Sequence, residues 1–185
     1  MSINLKKGSS FNLTKNKPTL KKVMIGLGWD LVTQKIDLDA CVFMIGKNGK
    51  LLADDYFVFY NNLNSPDGSV KHTGDNRTGM GDDDDEMVLV NLDVVNPNCE
   101  DIIFAVTIHE AAEKKHHFGL LAEAYIRLFD VENQAEVLRY DLDAEFGGKS
   151  EVVFAKLSKR NNEWSFTAVG DGASKGLQGL LDIYA

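Results

Sequence analysis

Residues 124–170 read AYIRLFDVENQAEVLRYDLDAEFGGKSEVVFAKLSKRNNEWSFTAVG. Four runs rich in Val, Ile, Phe, Tyr and Trp recur there at intervals of about ten residues, a spacing that predicts short strands joined by turns. The runs are 124–131, 136–142, 150–158 and 163–170, with turn residues at Glu132/Asn133 and Asn161/Asn162. No 3.6-residue apolar period is sustained anywhere in the stretch, so it does not read as helix.

The pattern continues upstream through IIFAVTIH (102–109), MVLVNL (87–92), residues 55–60, residues 38–46 and KKVMIGLGW (21–29). INLKK and SFNLT, separated by Gly8 and two serines, predict an opening hairpin. In 21–29, Val23, Ile25 and Leu27 fall on one face and Met24, Gly26 and Gly28 on the other. Glycine at alternate strand positions predicts the close approach of another backbone, or a bulge. Asn48/Gly49 between the runs at 38–46 and 55–60 is a type I′ turn signal. About ten short strands predict an all-β fold, a β-sandwich forming a single domain over 1–185. Helix is confined to a short C-terminal element over SKGLQGLLDIY, expected to close the core, and a short piece over EAAEKKHHF.

From Asn61 to Glu86 the apolar pattern stops, and loops that long in a compact domain are functional or disordered, the turn chemistry of SPDG favouring the functional reading. The loop ends in GDNRTGMGDDDDE (74–86), which places Asp75, Asp82, Asp83, Asp84, Asp85 and Glu86 with Asn76 among three glycines. Bare carboxylates a few ångströms apart repel by about 1 kcal/mol per pair even in water, so a positive partner is expected among them. Many oxygen donors with neither thiolates nor clustered imidazoles describe a hard cation, and loose six- to eight-fold coordination favours Ca²⁺. Asp37, Asp39, Asp67 and Glu110 lie at the ends of apolar runs where they could join that cage, and so many acids are enough for two ions. Asp37 and Asp39 sit two apart, so an extended strand puts both on one face. Arg77 could orient one of the carboxylates, whereas Asp130, Glu132, Asp141 and Asp143 read as solvated turn acids. No EF-hand spacing fits.

The strings IGLGWD (25–30), DLDACVFMIGKNGK (37–50), FVFYNNLNSPDGSVKHTGDNRTG (57–79), the DDDDE run, FAVTIHEA (104–111) and GLQGLL (176–181) together resemble the TerD family of tellurium-resistance and bacterial stress proteins. The likeness covers essentially the whole chain in the same order. It implies a calcium-binding β-sandwich of the bacterial cytoplasm associated with tellurite resistance, stress and phage defence. The family's motifs specify no reaction.

Other classes are disfavoured by the residues themselves. Residues 1–29 carry six lysines and no acid, leaving −14 for the remainder of a chain whose net charge is −8. That basic edge matches an acidic body within the molecule better than it matches nucleic acid, since only Phe11 is interleaved with its lysines. Cys41 and Cys99 are too few for a disulfide framework, and neither suits direct capture of tellurite. The N-terminus lacks a signal-type apolar core and no run approaches about 18 apolar residues, which predicts a cytoplasmic protein without a transmembrane segment. His109-Glu110-Ala-Ala-Glu113 begins like a zinc-protease motif but lacks its second histidine, and His116 and His117 sit in a lysine-rich turn. Trp29 and Trp164 read as packing residues, and no phosphate loop or dinucleotide fingerprint occurs.

The expectation is therefore a non-enzymatic, Ca²⁺-dependent binding or scaffolding module. Its partners would be other proteins of a stress or resistance assembly, working in the cytoplasm or peripherally at the inner membrane. The alternatives are a Ca²⁺-bridged membrane-surface module and a metal-dependent enzyme.

Overall fold

The structure, a computed structural model, describes residues 2–31, 35–74, 84–142 and 146–185. Among these residues, twelve strands form two six-stranded sheets. They are β1 (Ile3–Leu5), β2 (Ser10–Asn12), β3 (Lys22–Leu31), β4 (Leu38–Ile45), β5 (Phe57–Val58), β6 (Val70–His72), β7 (Glu86–Asn91), β8 (Asp101–Ile108), β9 (Leu121–Asp130), β10 (Glu136–Asp141), β11 (Glu151–Arg160) and β12 (Glu163–Ala173). The first sheet runs β1-β10-β9-β3-β7-β6 and the second β2-β12-β11-β8-β4-β5. Three α-helices accompany them: α1 (Leu13–Asn16), α2 (Ala111–Lys114) and α3 (Gly176–Tyr184).

Period-two alternation explains the sandwich. In β3, Val23, Ile25, Leu27 and Trp29 are all nearly inaccessible, as are Ile126 and Leu128 on β9 beside it, and these face Leu38, Ala40, Val42 and Met44 of β4 across one core. The second sheet is buried on its other face too. Cys41, Phe43 and Ile45 form a separate cluster with Phe57, Ile103, Ala105, Val153 and Leu180, with Leu177, Leu181 and Tyr184 of α3 packed against it. This double burial accounts for the continuous apolar run of IIFAVTIH, since β8 has helix on one side and sheet on the other. The C-terminal helix thus closes a core of its own, on the outside of the sandwich.

Several sequence expectations are corrected. β1 and β2 do not pair as a hairpin: β1 runs parallel to β10 in the first sheet, whereas β2 runs antiparallel to β12 in the second. Gly8, at φ +83°, makes the crossing, and its N–H donates to Ala168 O at 2.7 Å. The two short strands therefore extend the ends of two different sheets. The Asn48/Gly49 turn is not type I′, because only Gly49 takes positive φ (+77°); its N–H bonds Gly46 O at 2.9 Å, and the chain returns along β4 through an Ile45↔Leu51 bridge before β5 pairs at Phe57↔Phe43. The segment 61–86 contains β6, which pairs with β7 through Val70↔Val90. With β5 also short, twelve strands replace the expected ten or so.

Candidate metal centre

The described part of the acidic run, Asp84–Asp85–Glu86, sends its three carboxylates to three different places. Asp84 lies over the outer face of the first sheet, where its side chain is only 2% exposed. Arg127 of β9 grips it with two parallel bonds, Nε to Oδ1 at 2.7 Å and Nη2 to Oδ2 at 2.8 Å, and the Tyr125 hydroxyl adds a third at 2.9 Å. Bidentate charge-assisted pairs of this kind are among the strongest side-chain bonds available. Burial and the adjacent Asp84 push the Tyr125 hydroxyl well above its ordinary range, keeping it a donor.

The glycines of β3 make this possible. A Cβ at Gly26 would stand 2.2 Å from Asp84 Oδ2, and one at Gly28 would stand 2.3 Å from the Tyr125 ring. The close approach expected there is made by side chains and not by another backbone. Arg127 and Tyr125 lie directly across from Gly26 and Gly28 in register. Sequence reading missed Arg127; its one signal was a lone arginine in mid-strand opposite the strand whose glycines had no assigned occupant.

Asp85 turns to β3, accepting from Trp29 N at 2.8 Å, while its own N–H donates to Leu27 O. Burial raises its carboxyl above the usual value, Asp30 and Asp84 add to the rise, and the Trp29 N–H opposes it. Glu86, 2% exposed, reaches from the first sheet to the second, where Ala40 N donates to its Oε2 at 2.5 Å. His72, also buried, approaches the same oxygen through Nε2 at 3.3 Å, and its Nδ1 accepts from Gly74 N at 3.1 Å. Since Nδ1 accepts, the ring proton belongs on Nε2 and points at Glu86. His72 was not foreseen either; a histidine at the inward position of a three-residue strand leaves almost no periodic signal.

The other acids named from the sequence are dispersed. Asp67 organises a turn: Ser65 Oγ, Ser69 Oγ and Ser69 N all donate to Oδ1, and Asn96 N donates to Oδ2 at 2.8 Å. Burial pulls its carboxyl upward, but those bonds outweigh it and hold it below the ordinary value. Glu110 is exposed, paired with Lys114 at 2.9 Å and His109 at 3.5 Å. Asp39 shares the outer face of the second sheet with Thr107, its partner in register. Asp37 precedes β4, its carbonyl accepts from His109 N, and among the described residues its enclosed Oδ1 meets no hydrogen-bond donor. The expectations at Asp75, Asn76, Asp82 and Asp83 lie outside the described residues, as does Arg77. Among the described residues, no three His, Cys, Asp or Glu side chains converge closely enough to hold an ion.

The donor chemistry nonetheless fits a hard cation at one point. A buried carboxylate oxygen without a donor is costly, and Asp37 Oδ1 is one that a cation would satisfy. Both thiols are buried, and burial raises Cys41 far above a reactive thiol and pushes Cys99 up to about 12.

The chain matches the model of the TerD domain over residues 1–184. It belongs to the TerD family. It is 46% identical over 187 residues to the tellurium resistance protein TerD of Serratia marcescens, covering 100% of this chain and 97% of that protein. It is 41% identical to general stress protein 16U of Bacillus subtilis (strain 168), covering 100% and 97% of the two chains. Among solved structures, a homologue of the telluride resistance protein TerD from Streptomyces coelicolor A3(2) superposes with a TM-score of 0.68 at 21% identity, over 88% of this chain and 95% of that one. That likeness supports the TerD-family sandwich as a fold. Within the TerD-family chain, no described helix is long and apolar enough to cross a membrane.

Proposed function

We propose that this TerD-family protein is a Ca²⁺-dependent binding module, and not an enzyme, whose partners are other proteins of a tellurium-resistance or stress assembly. The observation that carries the ion is the enclosed Oδ1 of Asp37, just before β4, which meets no donor among the described residues. Asp37 would hold calcium together with carboxylates of the acidic run at 75–83; Asp37, Asp39 and Glu86 do not converge into a site by themselves, so any part Asp39 or Glu86 takes depends on that run. Calcium would supply charge neutralisation and order. Glu86 already ties the end of the run to β4 through Ala40 N, so a load on the run is felt by both sheets.

Asp84 takes no ligand role in this reading. Its two oxygens are engaged by Arg127 and Tyr125, and it serves as the anchor that holds the run's exit on the first sheet. Names of relatives such as the Serratia and Bacillus proteins above connect the family to tellurium resistance and general stress, which is why an assembly of stress proteins is the proposed setting.

Thermal unfolding in calcium and in chelator tests the reading. Calcium at 100 times its dissociation constant adds about 2.7 kcal/mol to stability. The midpoint should rise by several degrees, and Asp37→Asn should remove most of that rise while folding normally in chelator. An unchanged midpoint, with no binding detected by calorimetry up to about 1 mM, the weak end of protein calcium sites, would end the proposal.

A further inference from the structure

A groove of about 340 Å³ lies on the outer face of the second sheet, between β4–β5 on one side and the 109–113 segment and the start of α3 on the other. One wall is aromatic. Phe57 and Phe59 stack with centroids 4.4 Å apart, and Tyr60 meets Phe59 nearly edge-on, at 74° and 5.2 Å. Phe59 and Tyr60 thus form a corner of two ring planes. The rest of the lining carries Glu110, Glu113 and Asp39, and Lys175 contributes the one ammonium among the lining residues described.

Both walls are held rigidly. Tyr60 sits at the tip of a tight turn closed by mutual Phe59–Asn62 backbone bonds, each of 3.0 Å, and the Asn62 amide braces it on Asp55 O and Phe57 O. It is nevertheless 42% exposed, an aromatic ring displayed at fixed height beside a cavity. Across from it, Glu110 is a non-glycine residue at φ +53°, and Lys115, at the far end of α2, is at +56°. A left-handed conformation costs a side-chain-bearing residue about 1–3 kcal/mol, and such strain clusters where a side chain must be aimed.

We propose that this groove is a docking site for an arginine side chain presented by a partner protein. An aromatic corner attracts a cation through the negative faces of its rings, and arginine is favoured because a planar guanidinium stacks on a ring while its N–H fork meets carboxylates. Charge complementarity selects the occupant: Glu113 and Asp39 stand in a lining with one ammonium, while Glu110 is already bonded to Lys114 at 2.9 Å. The floor beneath is apolar and sealed by Cys41 and Phe57, 2% and 8% exposed, which suits the alkyl stem of the same side chain. The assignment rests on the aromatic corner and Glu113; the groove shares Asp39 with the calcium reading, so the test is run both with and without the ion.

The test is calorimetric titration of the full chain with an end-blocked, arginine-rich pentapeptide and with its citrulline counterpart, in calcium and again in chelator. Saturable binding of the arginine peptide in either buffer, at least tenfold tighter than citrulline, is expected. Tyr60→Ala, at an exposed position that should not affect folding, should weaken it about tenfold, and Glu113→Gln two- to fivefold. Equal affinity for wild type and Tyr60→Ala would mean only general attraction to an acidic protein and would overturn the proposal. So would the absence of binding below about 1 mM in both buffers. Retention by a lysine peptide with undiminished affinity would overturn the arginine assignment.

Discussion

The two outer faces of the sandwich solve the same problem in opposite ways. The face of the second sheet is large and apolar, with Phe43, Ile45, Ile103 and Val153, and α3 covers it with Leu177, Leu180, Leu181 and Tyr184. The face of the first sheet has no described helix over it; at its centre two glycines remove the side chains, and the space is filled by Asp84, Tyr125 and Arg127. One face is closed by area and the other by charge. Area is non-directional and tolerant, whereas a bidentate ion pair is directional and fails when either partner is lost. The second device is used where the chain must fasten the end of the acidic run at one point.

The largest effect should come from the apolar face. Phe43 is fully buried and touches the rings of Phe57 and Tyr184, so Phe43→Ala should cost about 4 kcal/mol in denaturant unfolding. A cost under about 1 kcal/mol would show that α3 is not seated there. On the charged face, Arg127→Ala strands a carboxylate that is 2% exposed and should cost about 3 kcal/mol. The Asp84→Asn/Arg127→Ala pair should recover part of that loss, and strict additivity would mean that the two groups do not act as a unit.

Gly26→Ala probes the same face by volume. The added methyl cannot coexist with the Asp84 carboxylate, so a loss of about 2 kcal/mol is expected, and it should shrink when Asp84 is already Ala. Tyr125→Phe removes one hydrogen bond to a charged acceptor and should cost about 1 kcal/mol; a neutral result would confine the anchor to Arg127.

The smallest effect is one of pH. Asp67, in the segment leading into β6, is held below its ordinary value by three donors from Ser65 and Ser69 and one from Asn96, so its folded-state value is depressed. Its contribution is complete above the unfolded value and is lost as pH falls through the lower folded one. Acid titration of stability should therefore be shallower in Asp67→Asn than in the wild type, and identical acid limbs would show that the turn does not depend on the charge.

Much of this was legible in the residues. The ten-residue rhythm from Ala124 to Gly170 gave four strands, β3 took the predicted alternation, and the C-terminal apolar segment formed α3 against a core. The DDDDE run, by contrast, reads in the sequence only as a set of candidate ligands. Its described members differ completely in role, because Asp84, Asp85 and Glu86 point along different directions once they meet β9, β3 and β4. Composition treats neighbouring aspartates alike; only the strands around them distinguish them.

What the sequence by itself determined is the material: alternating apolar residues that make strands, glycines that leave gaps in β3, and an acidic segment that requires positive partners. These follow from local chemistry and repeat spacing. What only the tertiary structure decided is the pairing of distant parts, placing Arg127 over Gly26, Ala40 N on Glu86 and β1 beside β10, away from β2. Such pairings depend on which strands become neighbours in a sheet. That is settled by burying both faces of many strands at once, a global condition that no local stretch encodes.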